Sequence, residues 1–248
     1  MIAISVKPVC SVLLDEIKEK IEGYTPFYRE YILSPVAEKD GELQVKHAAA
    51  RYANIEFLSR FCKHKFAKVP RFSFEEGKKP CFEGEYSALS FSFSHSGALA
   101  VCAVSCDTLD ADGPFECGCE NAIAIDEAAE RSDMPIEIGE FGACLTLCAD
   151  ACEVGVDVQV ARECDIPLTY NHEKIGERFF SGEDYARLLK NPTEDSFYRL
   201  WTKTESLAKM TGEGIARYKR RGKESAVTHT VALSVNGERY YLSVSLVQ

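Results

Sequence analysis

Leu89-Ser90-Phe91-Ser92-Phe93-Ser94-His95-Ser96-Gly97 alternates apolar and polar residues as far as Ser94. A period of two marks a strand with one face in the core, because successive side chains point to opposite faces. Beyond His95-Ser96-Gly97, the apolar run at 98–104 reads as a second, mostly buried strand. Upstream, 44–66 contains neither Pro nor Gly, and Ala49, Tyr52, Ala53, Leu58 and Phe61 recur at helical spacing, interleaved with Lys46, Arg51 and Arg60. Residues 1–70 as a whole read as mostly helical. A break at Gly77-Lys78-Lys79-Pro80 separates them from the first strand.

Downstream, 106–150 changes character: it is acidic, holds five cysteines and contains the turn Asp112-Gly113-Pro114. It reads as an insertion with a short helix at 122–131. Strand character returns at 153–160, and 177–189 and 196–210 read as helices. At 227–246, Val231, Leu233 and Val235 alternate ahead of Asn236-Gly237, a type I′ turn signal, and Tyr241, Leu242 and Val244 follow. The order of helices, strands, insertion, strand, helices and hairpin predicts an α+β fold. Its parts are an N-terminal half at 1–105, the insertion at 106–150 and a C-terminal half at 151–248.

With 248 residues and 46% hydrophobic content, the chain can bury a substantial core. Its 29 Lys and Arg against 39 Asp and Glu give a net charge of −10. General nucleic-acid binding, which needs cations to neutralise phosphates, is disfavoured. No stretch approaches the apolar length of a membrane helix. The N-terminus lacks a cationic leader followed by an apolar run, so a cytoplasmic protein is expected. The 11 cysteines, odd in number and without a CxxC pair, fit reduced thiols better than a disulfide frame or a zinc ribbon. Cys144, Cys148 and Cys152 fall four apart, but 145–148 also reads as strand, which would scatter those thiols.

Four groups of residues could carry chemistry. In Val156-Asp157-Val158-Gln159, strand periodicity puts Asp157 and Gln159 on one face as two oxygen donors, with the valines packed behind. A half-buried strand with a merely wet face is the plainer account. In Trp201-Thr202-Lys203-Thr204-Glu205-Ser206-Leu207-Ala208-Lys209, helical spacing stacks Trp201, Glu205 and Lys209, which a surface ion pair would also explain. Ser94-His95-Ser96-Gly97 makes a small anion-friendly turn, and Lys78 and Lys79 a rigid basic one. Gly212-Glu213-Gly214 would end the helix. The chain has no GxxxxGK[ST] phosphate loop and no G-x-S-x-G elbow, which disfavours a nucleotide triphosphatase and a serine hydrolase.

Taken together and in order, the Gly-Lys-Lys-Pro turn, Phe91-Ser-Phe-Ser-His-Ser-Gly97, Val154-Gly-Val-Asp-Val-Gln159, Arg178-Phe-Phe-Ser-Gly-Glu-Asp184 and Trp201-Thr-Lys-Thr-Glu-Ser-Leu-Ala-Lys209 resemble the Sfp-type 4'-phosphopantetheinyl transferases. That family shows a G-K-P turn, an F-N-I-S-H-S-G strand end, a G-[IV]-D-[IV]-E strand and a W-x-x-K-E-x-x-x-K helix in the same order. The resemblance touches most of the chain outside 106–150. It implies two similar α+β halves packed as a pseudo-dimer, with coenzyme A in the cleft between them, and therefore a monomer. The implied reaction is Mg²⁺-dependent transfer of 4'-phosphopantetheine from coenzyme A to a serine of an acyl or peptidyl carrier protein, releasing adenosine 3',5'-bisphosphate.

By the same resemblance, Asp157 and Glu205 hold Mg²⁺, with Gln159 as a third oxygen donor, and Lys209 contacts the phosphates. Ser94 and His95 meet the 3'-phosphate end of coenzyme A. Lys79 or Lys78 stands for the lysine of the G-K-P turn, and Lys46 lies near the phosphate-binding arginine of the family's first basic helix. Glu205, or a water that it orients, is the expected base. Three departures stand out: Gln159 where many relatives carry an acid, Thr204 where the family has Lys, and a turn one residue longer than G-K-P. They motivate an alternative, a catalytically impaired coenzyme A- or carrier-binding module of the same fold. A cysteine-rich metal-binding or redox protein is a more distant one.

Overall fold

In chain order the first elements are β1 (Ile2–Pro8), α1 (Leu14–Lys20), α2 (Pro26–Glu38), α3 (Glu42–Phe66), β2 (Phe72–Ser73), β3 (Cys81–Phe82), β4 (Ser90–Ser96) and β5 (Leu99–Ser105). Then come β6 (Ala122–Ala124), β7 (Ile136–Glu137), β8 (Ala143–Leu147) and β9 (Glu153–Ala161). The last are α4 (Tyr170–Phe179), α5 (Gly182–Lys190), α6 (Glu194–Thr211), β10 (Ala226–Val235) and β11 (Glu238–Val247). The computed structural model describes residues 2–9, 13–38, 41–66, 71–73, 79–82, 84–86, 89–105, 122–125, 134–147, 149, 153–161, 166–216 and 226–247.

The fold is α+β, as expected, and is built on two larger sheets. The first runs β4-β5-β1-β8-β6 and the second β7-β10-β11-β9. The alternating stretch becomes β4, hairpinned to β5 with Ser96 opposite Leu99, and Gly97 makes the turn at φ +55°. The C-terminal hairpin turns at Asn236 and Gly237, with φ of 50° and 80°, the positive values that a type I′ turn requires.

Three expectations change. Residues 2–8, placed in a helical region, form the central strand of the first sheet, paired with β5 on one side and β8 on the other. Within 106–150, β8 and β6 extend that same sheet and β7 pairs with β10, so this segment contributes strands to both sheets. The helix expected at 122–131 is strand at Ala122–Ala124, and 126–131 lies outside the described residues. Cys144 sits buried on β8, which settles 143–147 as strand rather than a helical face of thiols, while Cys148 and Cys152 lie outside the described residues. Third, the helix expected over 177–189 is two helices. Phe180 leaves α4 in extended conformation, and the Ser181 hydroxyl accepts from Asp184 N to cap α5.

Periodicity assigns the layers. Ile2, Ile4, Val6, Val101 and Ala103 from the first sheet share a core with Val154, Val156, Val158, Leu233, Leu242 and Val244 from the second. The opposite face of the first sheet, with Phe91, Cys102 and Val104, packs against Ile32, Ala49, Ala53, Leu58 and Phe61 of α2 and α3. On the outer face of the second sheet lies α6, at very close range. A Cβ on Gly155 would stand 2.1 Å from Ser206 O and 2.4 Å from Met210 N. Hydroxyls fill the rest of that seam: Thr202 bonds Ser243 at 2.8 Å and Ser206 bonds Ser245 at 2.6 Å.

The edges of the two sheets meet through side chains. On β9, the N–H groups of Val154, Val156, Val158 and Val160 point away from β11. They donate to Ser90, Ser92, Ser94 and Ser96 Oγ at 2.9, 3.1, 3.2 and 3.0 Å. The polar half of the alternating stretch is therefore a parallel ladder of hydroxyls that satisfies a neighbouring edge strand.

Candidate functional site

A cavity of about 710 Å³ opens where α3, β4, β9 and α6 come together, within the usual size of a small-molecule site. Each element delivers its side chains for a local reason. Strand periodicity on β9 sends Val156 and Val158 into the core and turns Asp157 and Gln159 to the cavity side. On α6, the four-residue spacing brings Trp201, Glu205 and Lys209 to the same wall. That helix is capped at Thr193, whose hydroxyl accepts from Ser196 N, and it ends at Gly212 in the left-handed conformation, φ +69°.

The centre of the site is Asp157, 5% exposed. Its Oδ1 accepts from Lys209 Nζ at 2.7 Å and from Ser94 Oγ at 2.8 Å, and Lys209 Nζ also donates to Ser94 Oγ at 2.9 Å. Among the described residues, Oδ2 of Asp157 accepts no hydrogen bond, and neither does the Glu205 carboxylate. Burial pushes the Glu205 pKa up, the Asp157 charge adds to the rise, and Lys209 partly offsets it. Gln159 lines the same wall, and among the described residues only its amide nitrogen is engaged, with Val160 O at 3.5 Å.

Two carboxylates face one space, Asp157 paired with Lys209 on one oxygen and Glu205 with its pKa raised by burial and by the Asp157 charge. That chemistry fits a hard divalent cation, which takes one or two carboxylates together with phosphate and water oxygens. Among the described residues, no three His, Cys, Asp or Glu side chains gather as a closed metal set. Asp157 and Glu205 present charged oxygens to this cavity, and Gln159 lines it with a neutral amide.

Cations and aromatic rings line the rest of the cavity. Arg51 of α3 reaches it from beside Tyr31, whose carbonyl takes its guanidinium at 2.8 Å and whose ring it covers at 4.8 Å. His95 stands on the cavity wall with its ring 4.8 Å from that of His47. Crowding by the protein, then the charges of His47, Lys209 and Arg51, lower its pKa below the ordinary imidazole value, so the ligand-free ring is neutral at pH 7.

The structure thus brings together Lys79, Ser94, His95, Asp157, Gln159, Glu205 and Lys209. Lys46 is not among them. It pairs with Glu42 at 2.7 Å and lines a separate cavity of about 360 Å³, next to His47 and the far side of His95. Lys78 lies outside the described residues. Arg51, one of the basic residues on the same helix, is the residue that sequence reasoning passed over. Its signal was spacing: it lies five residues beyond Lys46 on α3, facing the cavity rather than Glu42. Thr204 is 3% exposed and donates back to Leu200 O at 2.8 Å, and Lys203 pairs with Asp184 at 2.8 Å, so neither presents an ammonium to the site.

Lys79 lines the cavity but directs its ammonium at Ser90 Oγ at 2.8 Å, Val154 O at 2.8 Å and Met210 O at 3.3 Å. Met210 O is one of the last-turn carbonyls that a helix leaves without an internal partner. Lys79 therefore ties the basic turn to the start of β9 and the end of α6. Lys79→Met is expected to lower stability by about 2 kcal/mol, since hydrogen bonds from a charged donor are lost. Urea unfolding monitored at Trp201 checks this, and an unchanged midpoint would mean the tie carries no stability.

Residues 153–236 match the sequence profile of the 4'-phosphopantetheinyl transferase superfamily. That span holds β9, the three C-terminal helices and β10. The chain is 36% identical over 70 residues to the 4'-phosphopantetheinyl transferase psf-1 of Bacillus pumilus, a match covering 27% of each chain. To a 4'-phosphopantetheinyl transferase of Bacillus subtilis it is 32% identical over 87 residues, 34% of this chain and 36% of the relative. To the transferase Sfp of Bacillus subtilis strain 168 it is 29% identical over the same 87-residue length. The chain thus matches between 27% and 36% of the length of these curated relatives. In the part of the sequence that carries Asp157, Gln159, Glu205 and Lys209, this chain has the sequence character of the 4'-phosphopantetheinyl transferase superfamily.

Proposed function

We propose that this protein transfers the 4'-phosphopantetheine arm of coenzyme A to a serine of an acyl or peptidyl carrier protein, with adenosine 3',5'-bisphosphate as the second product. One observation carries the reading: Asp157 and Glu205 face a cavity that is also lined by Arg51, His95 and Lys209. Acids for a cation and bases for phosphates in one space suit a diphosphate bound with Mg²⁺. The relatives, all named 4'-phosphopantetheinyl transferases, agree with it. The halves at 1–105 and 151–248 then supply different ends of the ligand, α3 and β4 the nucleotide phosphates, β9 and α6 the diphosphate.

In this reading Asp157, Glu205 and the Gln159 amide oxygen would hold Mg²⁺, whose charge would offset that of the diphosphate. The carrier serine oxygen forms a bond to the phosphorus that bears pantetheine, and the bond from that phosphorus to the bridging oxygen of the diphosphate breaks. Glu205 takes the hydroxyl proton. Burial and the charge of Asp157 raise its pKa, which makes it a stronger base than an exposed carboxylate. Lys209, within 2.7 Å of Asp157, is placed to neutralise charge on the departing bisphosphate. The nucleophile belongs to the carrier, so no serine or cysteine of this chain needs to react.

Liberation of adenosine 3',5'-bisphosphate tests the reading. Chromatography of a mixture of this protein, coenzyme A, MgCl₂ and an apo carrier protein should show the bisphosphate only when the carrier is present. Release without carrier, or none with any carrier, would refute the transferase. Gln159→Glu adds a charge to the proposed donor set and is expected to lower the Mg²⁺ concentration for half-maximal activity several-fold. A requirement that stays the same or rises would remove Gln159 from that set.

A further inference from the structure

We propose that Ser94 is a positioning residue for the cation-binding carboxylate, not a contact to the nucleotide. A hydroxyl has one proton to donate and two lone pairs to accept with. Ser94 Oγ uses all three: it donates to Asp157 Oδ1 at 2.8 Å and accepts from Val158 N at 3.2 Å and Lys209 Nζ at 2.9 Å. The residue is 6% exposed, so these bonds lie largely out of solvent. A phosphate oxygen offers only acceptors and could bind this hydroxyl only by taking its proton away from Asp157. The Val158 bond is one rung of the ladder that joins the edges of the two sheets, which anchors the hydroxyl to the same strand that carries Asp157. Oδ1 of that carboxylate is thus held on the inner side by two donors, and Oδ2 is left for the cation. Partners of this outer kind, which orient a ligand without touching the metal, typically contribute 10–100-fold in metal affinity.

The inference rests on the reading of Asp157 and Glu205 as a cation site, and its test separates the two. Mn²⁺ alone, followed by electron paramagnetic resonance of the free ion, serves as the probe. Binding of adenosine 3',5'-bisphosphate without metal is measured in parallel. Ser94→Ala is expected to weaken Mn²⁺ binding at least about tenfold, leave bisphosphate affinity unchanged and raise half-saturating metal in turnover with little change in kcat at saturating metal. Ser94→Thr, which keeps the hydroxyl, should restore Mn²⁺ binding. If Ser94→Ala does not fold, Ser94→Cys, with its weaker donor and similar size, should show the same loss. Ser96→Ala removes a ladder rung at Val160 N without touching Asp157, and should lower the melting temperature but not Mn²⁺ affinity. Loss of bisphosphate binding with unchanged Mn²⁺ affinity in Ser94→Ala would overturn the inference and make Ser94 a nucleotide contact. Equal loss in Ser96→Ala would assign the effect to the ladder as a whole and overturn it too. Mn²⁺ binding to the unmodified protein that Glu205→Ala leaves unaltered would sink the carboxylate site itself, and the role of Ser94 with it.

Discussion

Replacing Glu205 by glutamine is expected to cut carrier-dependent transfer about 10³-fold, the usual worth of a positioned general base, and to raise the melting temperature at neutral pH. The two effects have one cause. Burial and the charge of Asp157 hold the folded-state pKa of Glu205 above its ordinary 4.5. The folded protein therefore binds this proton more tightly than the unfolded chain does, and stability falls as pH rises from about 4.5 through the raised value. Above that value the ionised carboxylate carries its full cost, and below 4.5 it carries none. Glutamine keeps the size and the hydrogen-bonding oxygen without the charge. Thermal unfolding in the presence of a chelator should then show the variant more stable than the parent at pH 7 to 8, with the gap closing as the pH falls through the raised value to 4.5. A variant that loses activity but melts at or below the parent temperature at pH 7 would mean that Glu205 is stabilised in the fold, against the reading of a strained, function-directed carboxylate.

Gly155→Ala should be the most disruptive single-methyl change in the second sheet. The new Cβ would stand 2.1 Å from Ser206 O, 2.4 Å from Met210 N and 2.7 Å from Met210 Cβ. Two of those atoms are backbone, so no side chain can swing aside, and α6 as a whole must lift from β9. Overpacking against backbone is expected to cost about 3 kcal/mol, which lowers melting by roughly 6–12 °C in a domain of this size. The same displacement moves Glu205 and Lys209 away from Asp157, so activity should fall by more than the loss of folded protein accounts for. Calorimetry beside specific activity separates the two. A variant with parental melting and parental activity would mean that the α6–β9 contact has slack, which the packing of Ser206 and Met210 does not allow.

Much of this architecture is legible in the chain because it rests on local pattern. The alternation at 89–94, the paired valines around Asp157, the i, i+4 row of Trp201, Glu205 and Lys209, and Asn236-Gly237 each carry their geometry within a few residues. What escapes is set by distant partners. β1 finds both its neighbours about a hundred or more residues away, at 99–105 and 143–147, and no local signal in Ile2–Pro8 announces them. The serines of β4 look like the wet face of a strand, yet each meets a β9 N–H 64 residues on, a register that only tertiary packing creates. Lys79 reads as a ligand-seeking cation in a turn, and two main-chain carbonyls from the other half of the chain turn it into a tie. The division of α4 from α5 had a legible cue, Ser181 followed by Gly182-Glu183-Asp184, a capping sequence that helical periodicity masked.

Intact-mass spectrometry of the carrier tests the central claim most directly. An apo carrier protein is incubated with coenzyme A, MgCl₂ and this protein, beside Glu205→Gln and a chelated control. The account predicts that the carrier gains the mass of one phosphopantetheine on its serine, in the parental reaction alone. No gain across fatty-acid, polyketide and peptide carriers, from a protein that binds coenzyme A, would contradict it and leave a coenzyme A-binding module. A gain that persists undiminished in Glu205→Gln would contradict the assignment of the site.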